Sequence, residues 1–243
     1  MMYDIDRQQR PDEEPSLQDM AETAITSLRK ATEDSEKGYF LMIEASRIDH
    51  ASHANDPVGT LWDTIEYEDI VKYVKEHIDS HPDTVMMAAA DHETGGLVLD
   101  GPGDFDPEPL QYASASISRI ADLWEEYDGD DSRSYLADTL LPMYGLNDVN
   151  ATMVDTLMAS ENILGDMVDM LNDVAGITWG SFGHTTVDCA VIGYAHGEQW
   201  DDFKVAMAGG HENTELVDYM AKMMGVQVSD ATEAILAAMA EEE

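Results

Sequence analysis

Two short apolar runs, GYFLMIE at 38–44 and TVMMAAAD at 84–91, stand on either side of a stretch that reads as one long helix. Nearly continuous apolar runs of this length are what strands buried on both faces require. Between them, Asn55-Asp56-Pro57 supplies a capping side chain followed by proline in the first turn, so a helix is expected from there to about His77. Strand, helix, strand is the pattern of a βαβ unit. It predicts an α/β fold with a mostly parallel central sheet flanked by helices. An earlier helix is expected from Pro15, where Leu17, Met20, Ala24 and Leu28 recur at helical period. At Gly101 the character changes. GPGDFDPEP is a turn-rich break, and the segments through about Val174 read as helical, punctuated by YDGDDS and YGLND. Three parts are therefore expected: core over 1–100, a helical insertion lying over the sheet at 101–176, and a return to the core over 177–243. The last part has strand character at HTTVDCAVIGYAHG (184–197) and helices from about Asn213 and Ser229. The closing EEE reads as a frayed, solvated tail.

The chemistry gathers where the apolar runs end. IEASRIDHASHANDP (43–57) holds Glu44, Asp49, His50 and His53, the last three in the pattern D-H-x-x-H. If Asp49 opens a helical turn, His53 faces the same way four residues on, and a carboxylate and an imidazole so placed can share one cation. Asp91-His92 stands at the carboxyl end of the second run, the edge where open α/β sheets bind ligands. His184 precedes the late strand and is expected to point at the same edge. Taken singly, each is an ordinary loop or capping residue. Three such groups at strand ends point to a shared metal site.

Composition narrows the partners. The chain has 243 residues with 51 Asp and Glu against 12 Lys and Arg, a formal charge of -39. Nucleic acid and anionic membranes would be repelled by such a surface. With 44% hydrophobic residues the chain still has a core to bury, so the acidity does not signal disorder. Two readings of the charge stand: an ordinary solvated acidic surface, or halophilic adaptation, in which concentrated salt screens the self-repulsion. Cys189 is the only cysteine, which excludes an internal disulfide and a cysteine zinc finger. No run approaches the roughly 18 consecutive apolar residues of a membrane span. The opening MMYDIDRQQRPDEEP lacks a signal-peptide pattern, so compartment is not legible from it.

Several stretches together resemble the alkaline phosphatases, most closely the fungal vacuolar type: GYFLMIEASRIDHASHANDP, DTVMMAAADHETGGL, GSFGHTTVD, and GHENTE at 210–215. YDIDRQ at 3–8 resembles the segment that precedes the first of these, and the likeness is weakest across 101–176, where the family carries its crown insertion. The resemblance implies an alkaline phosphatase-like fold and hydrolysis of phosphate monoesters through two zinc ions, one magnesium ion and a phosphoserine intermediate. Asp49, His53 and His184 would hold the first zinc, Asp91 and His92 the second, and Glu44 the magnesium. His50 falls where relatives contact phosphate through water. Homodimerisation and export are implied on the same ground. Ala45 departs from the glycine usual after the glutamate. Arg47 is expected in a salt bridge, His211 as a structural histidine at a helix start, and His77, His81 and His196 at the surface.

Coordination counting leaves a gap. The family's serine nucleophile sits in Asp-Ser-Ala, but here the Asp-Ser pairs at 34–35, 79–80 and 131–132 are followed by Glu36, His81 and Arg133. Two adjacent residues do not close a zinc site, nor one glutamate a magnesium site. The resemblance thus implies the C-terminal half of such an enzyme, without its nucleophile and inactive alone. Two alternatives stay open: a non-catalytic acidic metal-binding fragment, or another hydrolase or mutase of the same superfamily.

The charge gives the first test. Thermal unfolding should shift to higher temperature as sodium or potassium chloride is raised into the molar range, because screening removes repulsion that opposes the compact state. A midpoint that stays flat would leave halophilic adaptation without support.

Overall fold

A carboxylate followed by proline starts the longest helix, as the sequence suggests. The computed structural model describes residues 1–101 and 103–241, so the frayed end expected beyond Glu241 lies outside the described residues. In chain order the first elements are α1 (Asp4–Gln8), α2 (Leu17–Ala31), α3 (Arg47–His53), α4 (Pro57–Ser80), β1 (Met86–Ala89), β2 (Glu93–Thr94) and β3 (Leu97–Leu99). A helical stretch follows: α5 (Glu108–Tyr112), α6 (Ile117–Glu126), α7 (Ser132–Tyr135), a π-helical turn (Leu136–Leu140), α8 (Leu141–Met143), α9 (Ala151–Met158) and α10 (Ile163–Ala175). The chain closes with β4 (Ile177–Trp179), β5 (His184–Thr185), β6 (Val191–Tyr194), α11 (Gly197–Ala206), α12 (Glu215–Met224) and α13 (Val228–Glu241).

These elements form two compact units. The first comprises Met1–Glu22, Ile43–Tyr73 and His92–Cys189. Its core is built from Leu110, Ile120, Leu136, Leu140, Leu141, Tyr144, Leu157, Met167 and Leu171, joined by Ile5, Ala51 and Val58. Asp56 is fully buried at the centre of this unit. Its Oδ1 accepts from Val58 N (3.1 Å), capping α4, and from Tyr144 Oη (2.8 Å), while Oδ2 accepts from Ile117 N (3.1 Å) at the start of α6. Truncating it would strand buried donors at a cost of about 3 kcal/mol or more. α10 ends on Gly176, whose φ of +67° favours glycine, and the Asp104 carbonyl oxygen lies too close for any side chain there. The second unit comprises Thr23–Met42, Val74–Asp91 and the residues from Ala190 onward. In it, Phe203 of α11 packs where a Cβ on Gly193 of β6 would stand, stacked on Trp200 and edge-on to Tyr219.

The strands depart from expectation. Among the described residues they pair antiparallel in three two-stranded ladders, β1 with β6, β2 with β5 and β3 with β4. The parallel sheet expected from the sequence is not formed there. Residues 38–44 alternate as a strand would, with Tyr39, Leu41 and Ile43 half-buried and Phe40, Met42 and Glu44 exposed, yet the segment is irregular. A strand exists only through a neighbour's N–H and C=O groups, and this segment has no ladder partner among the described residues. Two of the expected surface histidines differ. His77 and His81 are half-buried and stacked 4.2 Å apart, while the His196 side chain is exposed with Nε2 3.0 Å from Asp79 Oδ1.

The first unit buries several of the chain's many acids. Asp4, Asp6, Asp56 and Asp63 are all buried. Burial pushes the Asp63 carboxyl up to about 7, with Glu66 and Asp4 adding to the shift, and burial likewise raises Asp6, Asp56 and Glu66. A carboxyl whose pKa is higher folded than unfolded binds more protons in the native state, so its contribution to stability is present at low pH and lost as pH rises. In molar salt, which screens the surface charge, unfolding free energy should therefore fall between about pH 4 and pH 7, and Asp63→Asn should flatten part of that slope. Urea titrations across this range check it. A wild-type slope of the opposite sign, or an Asp63→Asn slope equal to it, would contradict the assignment.

Candidate metal centre

Helix α3 carries the first two donors. It begins just after the irregular segment 38–46, and its i, i+4 spacing sets Asp49 and His53 on one face, with His53 Nε2 3.4 Å from Asp49 Oδ1. The third donor arrives through a ladder. β2 pairs with β5 so that Thr94 stands opposite His184 and Glu93 opposite Thr185. The Glu93 carboxylate accepts from the Thr185 hydroxyl and from Gly96 N, locking this short pairing. Next to it, Gly95 at φ +89° lies so close to Trp179 that a Cβ would approach its ring to 2.5 Å. Trp179 Nε1 donates to Asn172 Oδ1 (2.9 Å), and Asn172 Nδ2 donates to Asn55 O (3.1 Å), just past the end of α3.

His184 Nε2 consequently lies 3.2 Å from His53 Nε2 and 3.9 Å from Asp49 Oδ1. Two imidazoles on one tetrahedral zinc, with Zn–N bonds of about 2.05 Å, hold their donor nitrogens ~3.3 Å apart. The spacing of the three atoms fits one divalent ion. The tautomer fits as well: His53 Nδ1 lies 2.6 Å from Phe182 O, and a carbonyl only accepts, so Nδ1 carries the proton and Nε2 presents its lone pair to the site. Burial opposes the charged form of Asp49. The Thr94 hydroxyl, donating to Asp49 Oδ1 at 2.6 Å, and the neighbouring His53, His92 and His184 outweigh it, holding the carboxyl below its usual range. An ionised carboxylate and a neutral imidazole are the forms that bind metal.

The other expected site residues are placed less uniformly. His92 joins the group: its ring stacks on His184 at 3.5 Å, with Nδ1 3.1 Å from Thr94 Oγ1 and 4.0 Å from Asp49 Oδ1. Asp91 is exposed at the end of the segment Val74–Asp91 of the second unit. Glu44 is exposed and lines a narrow cavity of about 20 Å³ with Arg47, Asp63 and Glu66, and it is not one of the three converging donors. His50 is exposed and turned to Arg47, Nδ1 to Nη1 3.2 Å. Arg47 was expected in a salt bridge; among the described residues it forms none and stacks 3.8 Å over the Tyr3 ring, a contact that needs no carboxylate. His211 stands before α12, with Nδ1 3.5 Å from Glu215 Oε2. Two supporting groups escaped the sequence reading, Thr94 and the Phe182 carbonyl. Thr94 had a signal, since it is two residues past His92, an interval that puts two side chains on one side wherever the chain is extended. A backbone carbonyl has none.

Comparison with known proteins gives one answer. A family model described as alkaline phosphatase matches residues 1–226. An alkaline phosphatase of Schizosaccharomyces pombe is 32% identical over 96% of this chain and 44% of its own length. The repressible alkaline phosphatase of Saccharomyces cerevisiae is 30% identical over 96% of this chain and 45% of its own. The crystal structure of a Thermus thermophilus alkaline phosphatase superposes with a TM-score of 0.74 at 22% identity, covering 93% of this chain and 51% of that one, which shows a common α/β fold. The chain spans about half the length of the relatives it matches.

Zinc titration of the folded chain tests the donor set. His184→Ala should weaken binding by more than about tenfold, since a three-donor site loses an imidazole, and Thr94→Val should weaken it by about tenfold through loss of the group that orients Asp49. Unchanged affinity in His184→Ala would remove the centre from consideration.

Proposed function

The chain belongs to the alkaline phosphatase family, and from that premise we propose that it serves the hydrolysis of phosphate monoesters by supplying the metal-holding donors of the site. The observation that carries the reading is the meeting of His184 with His53, 131 positions apart in sequence, across 3.2 Å beside Asp49. Zinc bound by these three residues supplies Lewis acidity toward phosphoryl oxygens. Three protein donors leave a fourth position for a small ligand. The residues around it prepare the donors: Phe182 O holds the His53 tautomer, Thr94 orients Asp49, and the His92 ring packs flat on His184.

On sequence grounds Asp91 and His92 are assigned to a second zinc, Glu44 to magnesium and His50 to a water-mediated phosphate contact. Residues 101–176 are assigned to the crown-like insertion. No residue of this chain is assigned as the nucleophile, because none of its Asp-Ser pairs is followed by alanine. Homodimerisation, export and adaptation to high salt belong to the same proposal, the first two resting on family membership and the last on the charge of -39. Among the described residues no helix is long and apolar enough to cross a membrane. The missing nucleophile also favours a second reading, in which the chain binds metal without catalysis.

Supplied with zinc and magnesium, the chain alone is expected to hydrolyse p-nitrophenyl phosphate at background rate. Joined to the preceding half of the Schizosaccharomyces pombe relative, it should gain activity that disappears in Asp49→Ala and in His92→Ala. Zinc-dependent turnover by the 243 residues alone would place a nucleophile within them. A fusion that folds, binds zinc and stays inactive would favour the non-catalytic reading.

A further inference from the structure

Two of the scarce basic residues of this acidic chain meet at a cavity far along the sequence from the metal donors. It encloses about 280 Å³ within the first unit and is lined by Arg10, Arg119, Tyr135, Thr139, Leu123 and Asp6, among others. None of these residues belongs to the Asp49, His53 and His184 group. The size suits a small organic ion, at the lower end of ligand pockets.

The fold gives the arginines one role, drawing down the Asp6 carboxyl that burial raises. Arg119 stands in the first turn of α6, where the helix dipole disfavours a cation. Its ion pair is a long one, 3.9 Å to the exposed Asp122. Arg10 follows α1 and reaches the exposed Glu13 at 3.4 Å. Solvent-screened pairs of this kind hold a guanidinium weakly, so most of the N–H donors stay available. Neutralising the buried Asp6 is the plainest structural role for the two arginines. They meet it at a distance: Asp6 accepts from Ser116 N (2.9 Å) and Ser116 Oγ (2.6 Å), and among the described residues neither arginine forms an ion pair with it, so their N–H donors are not spent on it. Tyr135, whose hydroxyl donates to Leu123 O (3.5 Å), and Thr139 of the π-helical turn at Leu136–Leu140 also line the cavity. Such turns are uncommon and frequent at functional sites.

Two guanidiniums suit an anion of more than one charge and several acceptor oxygens. We propose that this cavity is an anion subsite that takes the phosphate group of a small phosphoester or of inorganic phosphate. In a chain carrying a charge of -39, which repels phosphoesters, such a subsite would hold the ion locally.

Calorimetric titration of the full chain, stripped of metal by a chelator and kept at constant ionic strength, tests this without involving the metal centre. Inorganic phosphate and phenyl phosphate are the probes. Binding is expected with a dissociation constant on the order of 1 mM, weakened about tenfold in Arg119→Gln and in Arg10→Gln and unchanged in Asp49→Ala. Tighter binding of phenyl phosphate would identify an ester ligand, and equal binding would identify free phosphate. Arg10 lies outside any helix, so if Arg119→Gln fails to fold, Arg10→Gln decides alone. Absence of binding to the folded chain, or wild-type affinity in Arg10→Gln, would overturn the subsite. Neither result bears on zinc binding, so the two readings fail separately.

Discussion

Asp56 is the buried carboxyl group on which the first unit turns. It stands between the end of α3, which carries Asp49 and His53, and the start of α4, and its oxygens also receive the α6 N-terminus and the Tyr144 hydroxyl. One carboxylate thereby ties the donor helix to the helical stretch 108–175. Burial raises its pKa, and the donors around it offset part of that rise. A buried carboxyl group is tolerated only when its hydrogen bonds are complete, so these elements are held together or not at all.

The metal centre inherits its geometry from this anchoring and from a ladder of only two residue pairs. β2 and β5 bring His184 opposite Thr94, and the Thr94 hydroxyl bonds Asp49, so backbone register and side-chain orientation agree on the same point in space. A one-residue slip would turn His184 to the other face. The Glu93–Thr185 hydrogen bond and the contact of Gly95 with Trp179 guard against that slip. Because Asn172 of α10 holds both Trp179 and Asn55 O, the helical stretch supports the centre without supplying a donor.

Local signals were legible in the sequence. The cap at Asp56-Pro57, the helical spacing of Asp49 and His53, and the helices between 108 and 175 all rest on short-range patterns, and all are found. The arrival of His184 at the same edge was legible from its place before the late strand, and its pairing with Asp49 and His53 on one ion only through the family motifs. What could not be read depends on partners. The apolar run 38–44 has a strand's pattern but no ladder partner among the described residues, so the expected sheet is not formed there. The acids of YDIDRQ look like surface residues by type, yet Asp4 and Asp6 are buried because Arg7, Gln8 and Ser116 bond them. Arg47 finds an aromatic face where a carboxylate was expected, a choice that depends on Tyr3 being packed nearby.

The central claim is that Asp49, His53 and His184 close on a single ion. Anomalous diffraction at the zinc absorption edge from crystals of the zinc-loaded chain tests it most directly. The account predicts a peak bonded to His53 Nε2, His184 Nε2 and an Asp49 carboxylate oxygen at about 2.0–2.2 Å each. A peak elsewhere, for instance at the stacked pair His77 and His81, with His53 and His184 still facing each other and empty, would contradict it.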